Sequence, residues 1–330
     1  RNGSQPQARE ELSNRAKSYG ISKRVVWEAY REVRANKGAA GVDSQRVEDF
    51  EECLKNNLYK LWNRMSSGTY FPKPVRRVEI PKAGGGRRYL GIPTVEDRIA
   101  QAVAKKYLEP LVEPRFHRDS YGYRPGKSAL DAVEVTRRRC WQYDWVIDLD
   151  IRGFFDNLDH RLVLRGVRRF TSERWLLLYI DRWLKVPVQV EDGELEAREK
   201  GTPQGGVISP LLANIYLHWF EVRFNRSEGP GVWANARIVR YADDFVIGCE
   251  LESDARRIMK ALPQRFARYG LELNREKTKM VNVLKGEAFG FLGFDLRREP
   301  KRNGNGYYIK MTPQKKARKA ISKVRIFISR

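Results

Sequence analysis

Cysteine and histidine are scarce in this chain, with three of each in 330 residues. Cys53, Cys140 and Cys249 stand far apart and form no pair motif, and His117, His160 and His218 are equally scattered. That spacing argues against a zinc cluster or a disulfide framework, and it sets a reducing cytoplasm as the expected home. Long apolar runs are missing too. The longest covers positions 210–220, too short to cross a bilayer whose hydrocarbon core is roughly 30 Å thick. No signal-peptide pattern is visible, and no membrane contact is expected. Internal repeats and low-complexity segments are absent. The chain opens at Arg1 and stops inside a basic, helix-like run, as a fragment of a longer protein would.

Acid is in short supply: Asp and Glu number 41 against 64 Lys and Arg, a formal net charge of +23 spread along the chain. An excess of that size points to a polyanionic partner. A protein that neutralises ~6–10 phosphates loses roughly 10³–10⁵ in affinity between low and moderate salt, so the partner class is cheap to test. With 41% hydrophobic and 32% charged residues the chain is globular, long enough for two or three lobes around a sizeable core.

The pattern alternates helices and strands. Ser22 is placed to cap a helix to about Ala35, with Val25, Ala29 and Val33 on one stripe. Val47–Met65 and Val95–Leu111 read as helices, and Ser128 with Asp131 three residues on opens another. Segment 70–80 carries Pro72 and Pro74 and reads as an extended or edge segment. A glycine-rich basic turn, Lys82 to Arg88, joins the strand-like runs Val75–Ile80 and Tyr89–Ile92. Residues 161–183 read as one helix. Asp192-Gly193 marks a hairpin between Val186–Val190 and Leu195–Glu199. Ser209-Pro210 starts a helix, and Pro263 is expected to kink or restart the helix that begins at Ser253. Lys279–Leu284 and Phe289–Leu296 read as strands, and from Thr312 the pattern is basic and helical. This alternation, with a further hairpin at 238–248, fits an α+β palm better than a doubly wound sheet.

That hairpin carries the most informative residues. Tyr241-Ala242-Asp243-Asp244 lies between the apolar runs 237–240 and 245–248. Adjacent carboxylates at a tight turn repel and raise each other's pKa, a penalty that a hard divalent cation removes. Asp150 closes a second apolar run, Trp145 to Ile151. One acid on a strand end and two on a hairpin suit a pair of metals roughly 3.5–4 Å apart, as in polymerases and nucleases. Asp150, Asp243 and Asp244 are therefore the expected catalytic and metal-binding residues, with two Mg²⁺ as cofactors. Asp148 shares a face with Asp150 in a regular strand; Asp150 is preferred because it stands where the strand opens. Asp156 and Asp159 are expected to be structural. Any single one of these acids could be a solvated ion-pair partner instead.

Three stretches, Asp150-Ile151-Arg152-Gly153-Phe154-Phe155-Asp156, Gly201-Thr202-Pro203-Gln204-Gly205-Gly206 and Tyr241-Ala242-Asp243-Asp244, resemble successive core motifs of reverse transcriptases, in order and spacing. Arg88 to Pro93, Ser120 to Gly126 and Phe289-Gly290-Phe291-Leu292-Gly293-Phe294 narrow the resemblance to the enzymes encoded by bacterial group II introns, the maturases. Lys37 to Asp43 is similar to their extra N-terminal motif, and the likeness covers about residues 20–296. It implies a right-hand polymerase of fingers and palm, with an antiparallel palm sheet and a truncated thumb. On that reading residues 1–70 extend the fingers, 71–295 are fingers and palm, and 296–330 begin the thumb.

The resemblance also implies RNA-directed DNA polymerisation, with a primer 3′-hydroxyl attacking a deoxynucleotide, and binding of intron RNA as a maturase. The expected partners are an RNA template, a primer strand, dNTPs and intron RNA; a homodimer is compatible with the sequence. Ile151 would lend its backbone carbonyl to a metal. Phe155, five residues past Asp150, would sit under the incoming sugar and exclude a 2′-hydroxyl, with Phe154 in the core. Lys82, Arg87 and Arg88 are offered for the triphosphate, the choice among them left open, with a solvated turn as the plainer reading. Gln204 and Gly205 are offered for a close-approach turn against template or nucleotide. Lys277, beside Lys279, is a proton donor to pyrophosphate or a surface charge. Lys315 to Lys319 resembles a first thumb helix along the template–primer backbone. A non-catalytic splicing cofactor, or a relative recruited to CRISPR or phage defence, would carry the same motifs.

Overall fold

The computed structural model describes residues 19–81, 87–302 and 306–314, and of Arg88 only the backbone. Lys82 and the basic run 315–319 lie outside the described residues. The chain divides into two compact units, residues 1–115 with 155–215, and residues 116–154 with 216–330.

In the first unit Ser22 caps α1 (Lys23–Ala35) by accepting the Arg24 amide at 3.2 Å. The helix buries Val26, Ala29, Tyr30 and Val33, Val26 taking the place expected of Val25. The expected helix 47–65 is two, α2 (Val47–Glu51) and α3 (Leu54–Ser67). The latter ends at Gly68, whose φ of +79° is a left-handed cap that glycine adopts freely. Strands β1 (Val75–Pro81) and β2 (Arg87–Ile92) form an antiparallel hairpin. Helix α4 (Val95–Val112) is capped by Thr94, which accepts the Asp97 amide.

The chain then enters the second unit with α5 (Ala129–Arg139) and β3 (Trp145–Leu149). Ser128 and Asp131 form the expected capping box on α5. It returns to the first unit with α6 (His160–Val167) and α7 (Arg174–Lys185), so the single helix expected over 161–183 is broken. Thr171 ends that reading: its hydroxyl accepts the Glu173 amide at 3.1 Å and offers the backbone a local alternative to the helix. Asp159 caps α6, the structural role expected of it. Strands β4 (Val188–Gln189) and β5 (Leu195–Glu196) flank the expected Asp192-Gly193 turn and complete a sheet of order β2-β1-β4-β5. Helix α8 (Ser209–Phe224) follows.

The second unit holds α9 (Pro230–Trp233), β6 (Arg237–Tyr241), β7 (Asp244–Cys249), α10 (Glu252–Ala267) and β8 (Lys279–Asn282). Pro263 lies within α10, which runs on past it because Leu262 and Phe266 are buried on either side. The expected strand 289–296 is a hairpin, β9 (Ala288–Phe291) and β10 (Phe294–Pro300). Leu292 at φ +49° and Gly293 at +83° make its two-residue turn, the combination a type I′ hairpin demands. Strand β11 (Tyr307–Pro313) pairs with β10, so Thr312 lies in a strand rather than at the start of a helix.

Strands β6-β7-β3-β8 form one antiparallel sheet. One face carries Val146, Val239 and Val246 and packs in a cluster with Ala132 and Val133 of α5, Phe289 of β9 and Leu296 of β10. On the other, Phe245 meets Phe220 of α8 and Phe266 of α10 at ring-centroid distances of 5.7 and 6.0 Å. Burial on both faces fixes the register, since a one-residue slip would turn every inward side chain outward. No helix among the described residues is long and apolar enough to cross a membrane.

Candidate active site

The register of the second sheet sets the acids side by side. Strand β3 pairs with β7 up to Leu149 opposite Phe245. One step further along that register, Asp150 stands opposite Asp244, at the open end where the ladder stops. Cross-strand neighbours on one face lie about 4.5–5.5 Å apart at Cβ. Alternation places Asp148 on the same face. Asp243 occupies the two-residue turn between Tyr241 and Asp244.

The charges interact as that placement requires. Burial, then the negative charges of Asp243, Asp150 and Asp148, lifts the Asp244 carboxyl to about 7, with Lys277 opposing. Burial and Asp150 lift Asp148 to about 6, against Lys279. Asp244 also reaches water, which screens the burial contribution and leaves the crowding of four carboxylates as the decisive feature. Lys277 Nζ lies 3.9 Å from Asp150 Oδ2 at the exposed edge, a contact that tempers the crowding without closing the site.

Hard oxygen donors that repel one another suit a divalent cation. Among the described residues no three acidic, histidine or cysteine side chains already stand in a ready-made metal cage. The acids are close enough to feel one another's charge while their carboxylates stay apart, the arrangement that mutual repulsion favours. Ile151 adds a backbone donor. It pairs with Leu273 in an isolated antiparallel bridge whose hydrogen bonds are made by its neighbours, Arg152 N to Glu272 O at 2.8 Å and Asn274 N to Asp150 O at 2.9 Å. In that geometry the Ile151 carbonyl turns away from Leu273, toward the side of β3 where the β6–β7 hairpin lies.

The turn itself is strained and braced, and here the sequence reading missed residues. Ala242 adopts φ +55°, a conformation costing an L-residue about 1–2 kcal/mol. Arg240, fully buried, holds it: Nη1 donates to Ala242 O at 3.0 Å, and Nη2 donates to Ser120 Oγ at 2.6 Å and to Glu221 Oε2 at 3.0 Å. Glu221 is 1% exposed, so the pair is an ion pair without water. The segment after Phe116 completes the brace, with Arg240 N donating to Asp119 O and Tyr121 N to Arg240 O. Gly122 lies so close that a Cβ there would stand 2.2 Å from Ala242 N. The Ser120-Tyr121-Gly122 motif thus supports the acidic turn. Strand alternation was the available signal, because it pairs Arg240 with inward-facing Ile238.

Arg87, Phe155, Gln204 and Gly205 belong to the first unit, and Phe154 closes a segment of the second. Arg87 pairs with Glu79 at 2.9 Å on the exposed β1–β2 hairpin. Gly205 at φ +124° brings the 201–206 turn against β2, where Gly91 N donates to Gln204 O at 2.8 Å and a Cβ on Gly205 would meet Gly91 O at 2.7 Å. At the other end of the turn Thr202 N donates to Phe155 O and Gly201 N to Leu158 O. Phe154 and Phe155 are both buried, at 2% and 6% exposure.

Known proteins resemble this chain in sequence and in fold. Residues 80–296 match the family model "Reverse transcriptase (RNA-dependent DNA polymerase)". Protein YkfC of Escherichia coli K12 is 34% identical over 88% of this chain and 85% of its own length. The group II intron-encoded protein LtrA of Lactococcus lactis is 27% identical over 87% of this chain, which spans 57% of LtrA's length. Among solved structures, telomerase from Candida tropicalis superposes with a TM-score of 0.53 at 15% identity, covering 72% of this chain and 59% of that one. The two share the right-hand polymerase fold.

Proposed function

The chain belongs to the reverse transcriptase family of RNA-directed DNA polymerases, and on that premise we propose that it is a group II intron-type enzyme that copies RNA by adding deoxynucleotides to a primer 3′-hydroxyl. The carrying observation is the approach of Asp150 and Asp244 at the open end of β3 and β7, with Asp243 beside them in a braced turn. Asp150, Asp243, Asp244 and the Ile151 carbonyl would hold the divalent ions, two Mg²⁺ in this reading. Bound there, such ions supply Lewis-acid stabilisation of the transferring phosphate and lower the pKa of the attacking hydroxyl.

The protein's own residues do the rest. The paired carboxylates would fix where positive charge gathers, and we read Lys277, 3.9 Å from Asp150, as the proton donor to the leaving pyrophosphate. We read Lys82, Arg87 and Arg88 as holding the triphosphate, and Gln204 and Gly205 as meeting template or nucleotide. Residues 71–295 then act as fingers and palm, 1–70 as their extension and 296–330 as the start of the thumb. The same body would bind intron RNA as a maturase in the cytoplasm.

Wild-type protein given an annealed RNA template and DNA primer, dNTPs and magnesium should produce full-length complementary DNA. Absence of product together with tight binding to intron RNA would replace the polymerase reading by that of a splicing cofactor.

Phe155 gives a second result to look for. With Phe155→Ala, discrimination against ribonucleotides should drop roughly 10–100-fold, since an apolar wall that excludes one hydroxyl acts in that range. Single-nucleotide incorporation with dNTP and rNTP measures it. Phe155 is nearly buried, so Phe155→Val serves as the variant with the smaller cavity. Unchanged sugar selection in both variants would remove the gate.

A further inference from the structure

A separate concavity opens in the second unit, away from the acidic turn, between the C-terminal half of α8, the short helix α9 and the outer face of α10. Its volume is about 270 Å³, close to the lower end of small-molecule clefts at roughly 300–1,000 Å³. The floor is apolar: Phe220, Phe224, Ile258 and Leu262 are each at most 4% exposed. Phe220 also backs onto Phe245 of β7, so this ring separates the pocket from the catalytic sheet.

The rim is basic. Arg223, Arg226, Arg257 and Arg265 line it against a single acid, Glu228. The Glu228 carboxylate is engaged by the Ser227 hydroxyl at 2.7 Å. None of the four arginines forms an ion pair among the described residues. Three of them, Arg223, Arg265 and Arg226, converge with Arg268 on Tyr269, whose phenol burial pushes up while these arginines pull it down. The Arg257 guanidinium lies over the Trp233 ring, 4.3 Å from its centroid. A ring-backed guanidinium is a surface on which an unpaired base stacks. Gly229 shapes the mouth, because a Cβ there would stand 2.2 Å from Phe224 O.

Unpaired arginines call for phosphate, which they grip in bidentate fashion. An apolar floor and a stacking plane call for an aromatic ring. A nucleotide carries both, and a recess this small excludes a base that is already paired and stacked. The geometry points to this pocket as a binding site for one unpaired nucleotide of an RNA strand, its base on the Trp233–Arg257 stack and its flanking phosphates on Arg223, Arg226 and Arg265. The site is indifferent to base identity, since stacking carries it. It lies outside the catalytic residues and needs none of them.

The test uses the full chain, with a fluorescent RNA octamer of uridines and a labelled 20-base-pair RNA duplex as probes. Octamer affinity should fall about tenfold in Trp233→Ala and in Arg257→Gln, within the range for losing one stacked base, and duplex affinity should stay within about twofold. Replacing Arg223 and Arg226 together by Gln should reduce the slope of log affinity against log salt by about 1.4, the single-strand value for two phosphates. Trp233→Phe should keep binding, and the exposed arginine variants carry the test without touching the core. The fold-losses from Trp233→Ala and Arg257→Gln do not depend on primer extension, so a failed polymerase reading would leave this result standing. Equal loss of octamer and duplex binding, or loss of neither, overturns the proposal. So does uridine monophosphate binding as tightly as the octamer, which would make the pocket a free-nucleotide site, or displacement of the octamer by a glutamate-rich peptide from wild type and Trp233→Ala alike.

Discussion

Primer extension by the Asp243→Ala, Asp244→Ala chain is expected to fall at least ~10³-fold. Divalent ions contribute several kcal/mol of charge stabilisation at such a site, and each 1.36 kcal/mol is a factor of ten in rate. Folding should not suffer, which makes the result informative. Asp244 is crowded by Asp243, Asp150 and Asp148, so removing the pair relieves repulsion, and the thermal midpoint should hold or rise. RNA binding should survive for the same reason, because negative charge leaves a surface meant for a polyanion. Single-turnover extension, thermal melting and RNA titration on one preparation check all three. Extension that persists would move the chemistry to other residues.

The second large effect lies behind the turn. Arg240→Met should destabilise the protein by about 3–5 kcal/mol, because it leaves Glu221 buried and without its counter-charge. Adding Glu221→Leu should recover most of that loss, since a buried ion pair often exchanges for well-packed apolar residues at little cost. Activity should not return with stability. The apolar pair gives Ala242 O no donor, and the left-handed turn that carries Asp243 and Asp244 loses the contact that holds it. Urea denaturation read beside primer extension separates the two effects. A double variant as active as wild type would show that the turn holds itself.

The acidic turn was legible from the sequence because two apolar runs framed it and like charges at a turn need a reason. Asp150 was legible from its place at the end of an apolar run, and the capping box at Ser128 from its spacing. The brace was not. Glu221 and Arg240 meet across a helix and a strand, and no local pattern couples positions so far apart. Segment 289–296 reads as one strand because Leu292 occupies a positive-φ position that Asn or Gly would mark, which leaves Gly293 as the turn's lone sign. The break between α6 and α7 rests on Thr171 bonding its own neighbours, a choice that periodicity does not reveal. Nor does periodicity gather the arginines of α8 and α10 around one recess; that required the packing of both helices beside α9.

Asp150, Asp243 and Asp244 are proposed together to hold divalent ions. Crystals grown with a primer–template and soaked in Mn²⁺ should show anomalous scattering peaks between Asp150 and Asp244, within about 2.0–2.6 Å of carboxylate oxygens as hard cations require. Peaks at other acids, or none between these strands while Mn²⁺ supports extension in solution, would contradict it.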